Sequence, residues 1–150
     1  MDRYCVIASP LGNLKITASE KGICGIAYTA ENLCRSEDPL LIKTELQLQE
    51  YFEGRRKTFD LPLDLQGTEF QKRVWQALLE IPWGETRSYS DIAAAAGNAA
   101  AVRAVGMANH VNPAVIVVPC HRVIGKNGSL TGYGGGLERK QFLLNLERVR

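Results

Sequence analysis

The 150-residue sequence has only two histidines, at 110 and 121, and four cysteines, at 5, 24, 34 and 120. There is no Cys-x-x-Cys pair, and both histidines stand far from the first three cysteines. This spacing argues against a disulfide-knit secreted scaffold and against a structural zinc site. A long apolar run is missing, as is a basic-then-apolar N-terminal stretch, so neither a membrane span nor a signal peptide is expected. Charged residues are an ordinary 23% and apolar residues 45% of the chain, which excludes disordered and fibrous classes and suffices for a buried core. The expectation is a soluble intracellular protein of one domain or two small ones.

What is present divides the chain in two. Residues 1–66 hold 8 Lys/Arg against 10 Asp/Glu, a net of −2, whereas residues 67–150 hold 10 against 6, a net of +4. The mildly basic half suggests an anionic partner. In the first half, three short apolar runs, Tyr4–Ala8, Leu14–Ala18 and Ile23–Tyr28, are separated by the turn clusters PLGN and SEKG. That is the pattern of an antiparallel meander. Cys5 and Cys24 fall in these strands, where a cysteine acts as a small buried hydrophobe, and the same reading is taken for Cys34. From Pro39 the spacing of Leu41, Leu48 and Phe52 turns helical, with Gly54 as a stop. RRK and LPLDLQG then read as a last strand and a linker. No catalytic cluster is visible in this half, and its role is expected to be structural.

The second half opens on a helix. Thr68 with Gln71 forms a capping box, Phe70, Val74, Trp75 and Leu78 form one apolar stripe, and Pro82 ends the helix. Ser90 is placed to cap a short helix through Ala96. Gly97-Asn98 makes a turn, and a second helix runs from about Ala99 to Asn109. Two short helices joined by a glycine-bearing turn predict a helix-turn-helix. The second helix carries one basic residue, Arg103, among alanines and Gly106. It reads equally as a smooth face presented to a surface and as an alanine-rich core helix.

Next comes AVIVVP, a β-branched run of the buried-strand type, delivering Cys120 and His121 at its end. A thiolate is the nucleophilic form of cysteine, and an imidazole oriented by a carboxylate is what generates one. Adjacent strand residues point to opposite faces, however, so contact between the two requires a turn or a bridging water. By itself the pair reads more readily as structural than catalytic. Downstream, Asn127-Gly128 is a hairpin-turn signal. GYGGG surrounds Tyr133 with glycines that leave backbone N–H groups open to a ligand. The closing helix, Leu137 to about Arg148, places Glu147 in its last turn, where the helix dipole disfavours a carboxylate. Orienting an imidazole would account for that position; a surface carboxylate beside Arg148 is the alternative.

PCHRVIG, preceded by RAVG and Asn112-Pro113 and followed by GYGGGL and a leucine-rich last helix, resembles the O6-alkylguanine-DNA alkyltransferases, the methylated-DNA–protein-cysteine methyltransferases. The resemblance covers residues 67–150, with the motifs in order, and extends loosely to SPLG at Ser9–Gly12. It implies an α+β protein: a small N-terminal α/β domain over 1–66, with an antiparallel sheet plus a helix and ribonuclease H-like. This would pack on a mainly helical domain over 67–150 that contains a winged helix-turn-helix. By the same resemblance Cys120 is the alkyl acceptor, His121 takes its proton through a water, and Glu147 orients His121. Tyr89 bonds the purine and protonates the leaving guanine. Asn112, a hinge, is placed at the substrate pocket with Val123, Tyr133 and Gly134. Arg103 replaces the extruded base, with Ala101, Ala104 and Arg122 also at the DNA.

Gly134 departs from the serine found in many members, which removes a hydroxyl from the pocket but not the backbone N–H. The N-terminal zinc ligands of some relatives are absent, and no metal or cofactor is expected. Cys120 separates the chain from the alkyltransferase-like subgroup, which has tryptophan there. The resemblance implies single-turnover repair of O6-alkylguanine, and less well of O4-alkylthymine, in double-stranded DNA. The protein would act as a monomer, away from membranes, in the cytoplasm or with DNA in a nucleoid or nucleus. The residues alone leave two rivals: a hydrolase using Cys120, His121 and Glu147, and a DNA-binding regulator with a structural Cys120.

Overall fold

The computed structural model describes residues 2–130 and 132–148. The chain forms two compact units: residues up to Gln66 together with Pro113–Val115, and Gly67–Asn112 with the chain from Ile116 onward. In the first unit β1 (Arg3–Ile7), β2 (Leu14–Ala18) and β3 (Ile23–Tyr28) make the expected meander, ordered β1-β2-β3 and antiparallel throughout. Alternation along β2 sends Leu14, Ile16 and Ala18 to the buried face. Helix α1 (Pro39–Phe52) covers it with Leu41, Leu48 and Tyr51. Its start is fixed by Asp38, whose carboxylate accepts from the N–H groups of Leu40 and Leu41, and by Pro39 in the first turn. Gly54, at φ +78°, lies just beyond its end.

Three expectations are corrected. Residues 55–66 form no last strand, only a single bridge from Leu63 to Ile23. The buried side-chain amide of Gln47 instead takes up both backbone groups of Asp60, which satisfies that residue without a ladder. Of the first three cysteines only Cys5 is buried; Cys24 is half-buried and Cys34 exposed. The β-branched run 114–118 is not a continuous strand. Ala114 bridges Ile26, and Ile116 then turns through a left-handed φ of +74°. The prolines at 113 and 119 lack the N–H a ladder needs, while burial of Ile116, Val117 and Val118 accounts for the apolar composition.

In the second unit α2 (Glu69–Leu79) carries the expected capping box between Thr68 and Gln71. It buries Val74, Trp75, Ala77 and Leu78. Helices α3 (Tyr89–Ala95) and α4 (Val102–His110) pack on it and on each other, with Gly97 at φ +90° in the turn between them. This is the helix-turn-helix. The cap of α3 is Ser88 rather than Ser90: its hydroxyl accepts from Asp91 N–H, and the Asp91 carboxylate accepts from Ser88 N–H. The second helix begins at Val102, not Ala99. A 3-10 turn (Cys120–Arg122) leads into β5 (Val123–Ile124), which pairs in parallel with β4 (Arg87–Ser88). Asn127-Gly128 lies in a turn closed by Gly125 and Ser129. Helix α5 (Leu137–Leu146) ends two residues earlier than expected, with Glu147 as its cap. Among the described residues no helix is long and apolar enough to cross a membrane.

Leu78 is fully buried, and its truncation leaves a cavity between helices that cannot wholly collapse. Leu78→Ala is expected to destabilise the protein by roughly 2–5 kcal/mol, to be measured by urea unfolding.

Candidate active site

The 3-10 turn resolves the geometric objection to the Cys120–His121 pair. In a 3-10 helix successive side chains are about 120° apart, so neither residue is forced onto the opposite face of a strand. The turn is held by Cys120 N–H donating to Val118 O at 2.8 Å and Arg122 N–H donating to Pro119 O at 2.9 Å. The C-terminal end of α4 fastens it from the side. Asn112 Nδ2 donates to Val118 O at 2.8 Å and lies 3.0 Å from Cys120 Sγ. Asn109, buried on α4, donates to Cys120 O at 3.3 Å.

Cys120, His121, Arg122 and Glu147 are all buried. His121 Nε2 lies 2.8 Å from Glu147 Oε2. Beside an ionised carboxylate Nε2 carries the proton, so in the neutral ring Nδ1 is the acceptor. Among the described residues Nδ1 has no hydrogen-bond partner. Arg122 grips the same carboxylate, Nε to Oε1 at 2.8 Å and Nη2 to Oε2 at 2.9 Å, while Nη1 donates to Ile81 O at 2.7 Å. Glu147 is therefore not a surface carboxylate, and its place at the end of α5 is set by these two partners. Arg122, expected at the DNA, is instead spent inside the site: a guanidinium this buried, bonded to a carboxylate and a carbonyl, is not presented at a surface.

The electrostatics follow from burial. Burial pushes the Cys120 thiol up to about 11, with the Asn112 amide acting the other way. Burial likewise lowers His121, against the pull of Glu147. Burial would raise Glu147, but the hydrogen bonds from His121 and Arg122 outweigh it and hold the carboxyl at about 2. At neutral pH the site thus holds a protonated thiol, a neutral imidazole and an ionised carboxylate. Lys140 is fully buried on α5, donates to Val123 O at 2.5 Å, and is brought down to about 8 by burial.

The remaining expected residues divide. Tyr89, the first residue of α3, comes against the glycine loop: a Cβ on Gly132 would lie 2.9 Å from its hydroxyl, and Gly132 has φ +60°. Glycine is required there on both counts. Tyr133 and Val123 are buried, and Gly134 is exposed. A Cβ at Gly134 would stand 3.0 Å from His110 O, so its absence lets the loop lie against the end of α4. On α4, Arg103 and Ala104 are exposed with Val102 and Met107, Ala101 is half-buried, and Val105, Ala108 and Asn109 face inward. The helix is neither wholly core nor wholly surface. Asn109, Lys140 and the inward role of Arg122 were missed from sequence. Lys140, Leu143, Leu144 and Glu147 do fall at helical spacing on one buried stripe, and that periodicity marks both charged residues as internal.

Comparison with known proteins places this geometry. Residues 3–65 match the family described as 6-O-methylguanine DNA methyltransferase, ribonuclease-like domain, and residues 69–149 match its DNA binding domain. The constitutive methylated-DNA–protein-cysteine methyltransferase of Bacillus subtilis is 52% identical over 160 aligned residues, covering 99% of this chain and 97% of that protein. The crystal structure of Mycobacterium tuberculosis O6-methylguanine methyltransferase superposes with a TM-score of 0.88 at 46% identity, over 99% of this chain and 93% of the other. A structure of the M. tuberculosis protein in complex with DNA gives 0.88 at 48% identity, over 97% and 92%. The chain belongs to the 6-O-methylguanine DNA methyltransferase family.

Titration of Glu147 and His121 at lower pH in the fold makes stability acid-sensitive. Each group titrates lower in the folded than in the unfolded chain, so the unfolded chain binds the proton first and stability falls as pH falls. The loss should begin below about 6.5 with His121 and continue from about 4.3 toward about 2 with Glu147. Glu147→Gln should remove the lower part of this dependence. It should also cost roughly 3–5 kcal/mol at neutral pH, because Arg122 is left buried without its carboxylate. Urea unfolding across pH 2–8 measures both.

Proposed function

We propose that this protein repairs alkylated DNA by moving a methyl or small alkyl group from O6 of guanine, and less well from O4 of thymine, to Cys120. The observation that carries this is a buried cysteine beside a Glu147-oriented imidazole, in a chain belonging to the 6-O-methylguanine DNA methyltransferase family. O6 in stacked DNA cannot be reached by a buried sulfur, so the lesion is flipped out of the duplex. The exposed face of α4 suits the minor groove, with Arg103 filling the space the base leaves. Tyr89 and the loop around Tyr133 and Gly134 receive the base.

The Cys120 proton passes through a water to Nδ1 of His121, and Glu147 stabilises the imidazolium through Nε2. Sulfur attacks the alkyl carbon as its bond to O6 breaks, and the leaving guanine takes a proton from Tyr89. The product thioether has no carbonyl for a hydrolytic relay to attack. Sulfur stays alkylated, and each molecule acts once, without a cofactor. The protein works as a monomer on double-stranded DNA, in the compartment that holds it.

Incubation with duplex containing O6-methylguanine should leave one methyl per molecule, located on Cys120 by mass spectrometry. Cys120→Ser should bind the duplex and accept nothing. Repeated turnover would instead favour a hydrolase, and unmodified Cys120 with intact DNA binding a regulator; either result overturns the proposal. Arg103→Ala should slow transfer from duplex by about tenfold or more, in keeping with a flipping cost of a few kcal/mol. Transfer from the free base O6-methylguanine should be unchanged, and rates on the two substrates make the comparison.

A further inference from the structure

We propose that Arg122 is a positioning residue for the alkyl transfer: by gripping both oxygens of Glu147 it keeps that carboxylate from charging His121, so the imidazole meets the thiol proton as the neutral Nε2–H tautomer. This rests on the assignment of Cys120 and His121 as acceptor and base.

The geometry is a shared carboxylate. Glu147 Oε2 lies 2.8 Å from His121 Nε2 and 2.9 Å from Arg122 Nη2, and Oε1 is taken by Arg122 Nε at 2.8 Å. The Nη1 bond to Ile81 O at 2.7 Å fixes the plane of the guanidinium, so the two-pronged contact is held from both ends. A guanidinium keeps its proton throughout the accessible pH range. The charge of Glu147 is therefore balanced before His121 gains any.

Facing the imidazole alone, the same carboxylate would pull it further toward imidazolium, which has no lone pair at Nδ1 for the thiol proton. The charged groups acting on His121 are Glu147 at the end of α5, Arg122 on its own turn and Lys140 from α5. Only Glu147 favours the charged ring, while Arg122 and Lys140 oppose it after burial itself. Cys120, its neighbour on the turn, is the group whose proton it must receive. The carboxylate can thus fix the tautomer and stabilise the imidazolium once formed, without forming it prematurely.

The test is the pH dependence of methyl transfer to Cys120 in the wild type, Arg122→Met and Arg122→Lys. Loss of the charge should move the acid limb about one unit to higher pH. Lysine restores the charge without the fork, and should return the limb to the wild-type position while leaving a lower plateau. A limb in the same place for methionine and wild type, with only the plateau lowered, would mean a structural role and overturn the proposal.

Should Arg122→Met fail to fold, nitrogen-15 NMR of histidine-labelled wild type decides. The expected result is His121 neutral at pH 7, protonated at Nε2 and bare at Nδ1; an imidazolium there overturns the proposal. Absence of methyl from Cys120 in the wild type would count against the site assignment instead, and the NMR result would stand apart from it.

Discussion

Everything in the site depends on one buried carboxylate. Glu147 is inaccessible to solvent, and a lone anion in that position would be too poorly solvated to persist. It persists because His121 and Arg122 converge on it, both delivered by a three-residue turn. The dependence is mutual. Without the carboxylate the guanidinium is a buried uncompensated cation, and without the guanidinium the imidazole faces the anion alone. Such a triad contributes little net stability against well-packed apolar residues. What it gives is definition: the helix end, the turn and the imidazole plane are fixed relative to one another.

Burial sets the chemical character of the sulfur in the same way. A thiol displaced to about 11 is overwhelmingly protonated near neutral pH, and a protonated thiol is a poor nucleophile. Reactivity cannot therefore reside in the cysteine alone. In the proposed transfer it arises when the proton has somewhere to go, and the neutral imidazole one residue along provides that place. The Asn112 amide, 3.0 Å from Sγ, offers the developing thiolate a hydrogen bond in an otherwise dry environment. In the proposed role, a sulfur that one alkylation expends gains from being inert until its substrate is in place.

Much of this is legible in the sequence. The meander, α1, the capping box on α2 and the two-helix motif came from periodicity and turn chemistry, which are local. The errors arose where distant groups decided. Residues 55–66 formed no strand, and Gln47, on a different element, supplied both backbone hydrogen bonds of Asp60 among them. Ala114–Val118 had a strand's composition because it is buried, but its flanking prolines and the left-handed Ile116 prevent a strand's backbone. At the site, PCHR and Glu147 were readable as members, yet the resemblance placed Arg122 at the DNA. Its inward course was settled by Glu147, twenty-five positions away. The stripe of Lys140, Leu143, Leu144 and Glu147 held the clue, since helical spacing does not exempt charged residues from burial.

Helix α4 links the exposed face of the second unit to the candidate site. Its nine residues turn Val102, Arg103, Ala104 and Met107 outward, and Val105, Ala108 and Asn109 inward. The inward side is tied to the Cys120–Arg122 turn through Asn109 to Cys120 O, and just past the helix end Asn112 reaches Val118 O and Sγ. Trp75 of α2 in turn donates to Ala108 O at 3.0 Å, fixing the same helix against the core. A rigid helix can hold outer and inner groups in register to a fraction of an ångström, which a loop cannot. One element thus meets two requirements: Val102, Arg103, Ala104 and Met107 form its exposed face, and the amides at its inner end hold the Cys120 turn in place behind that face.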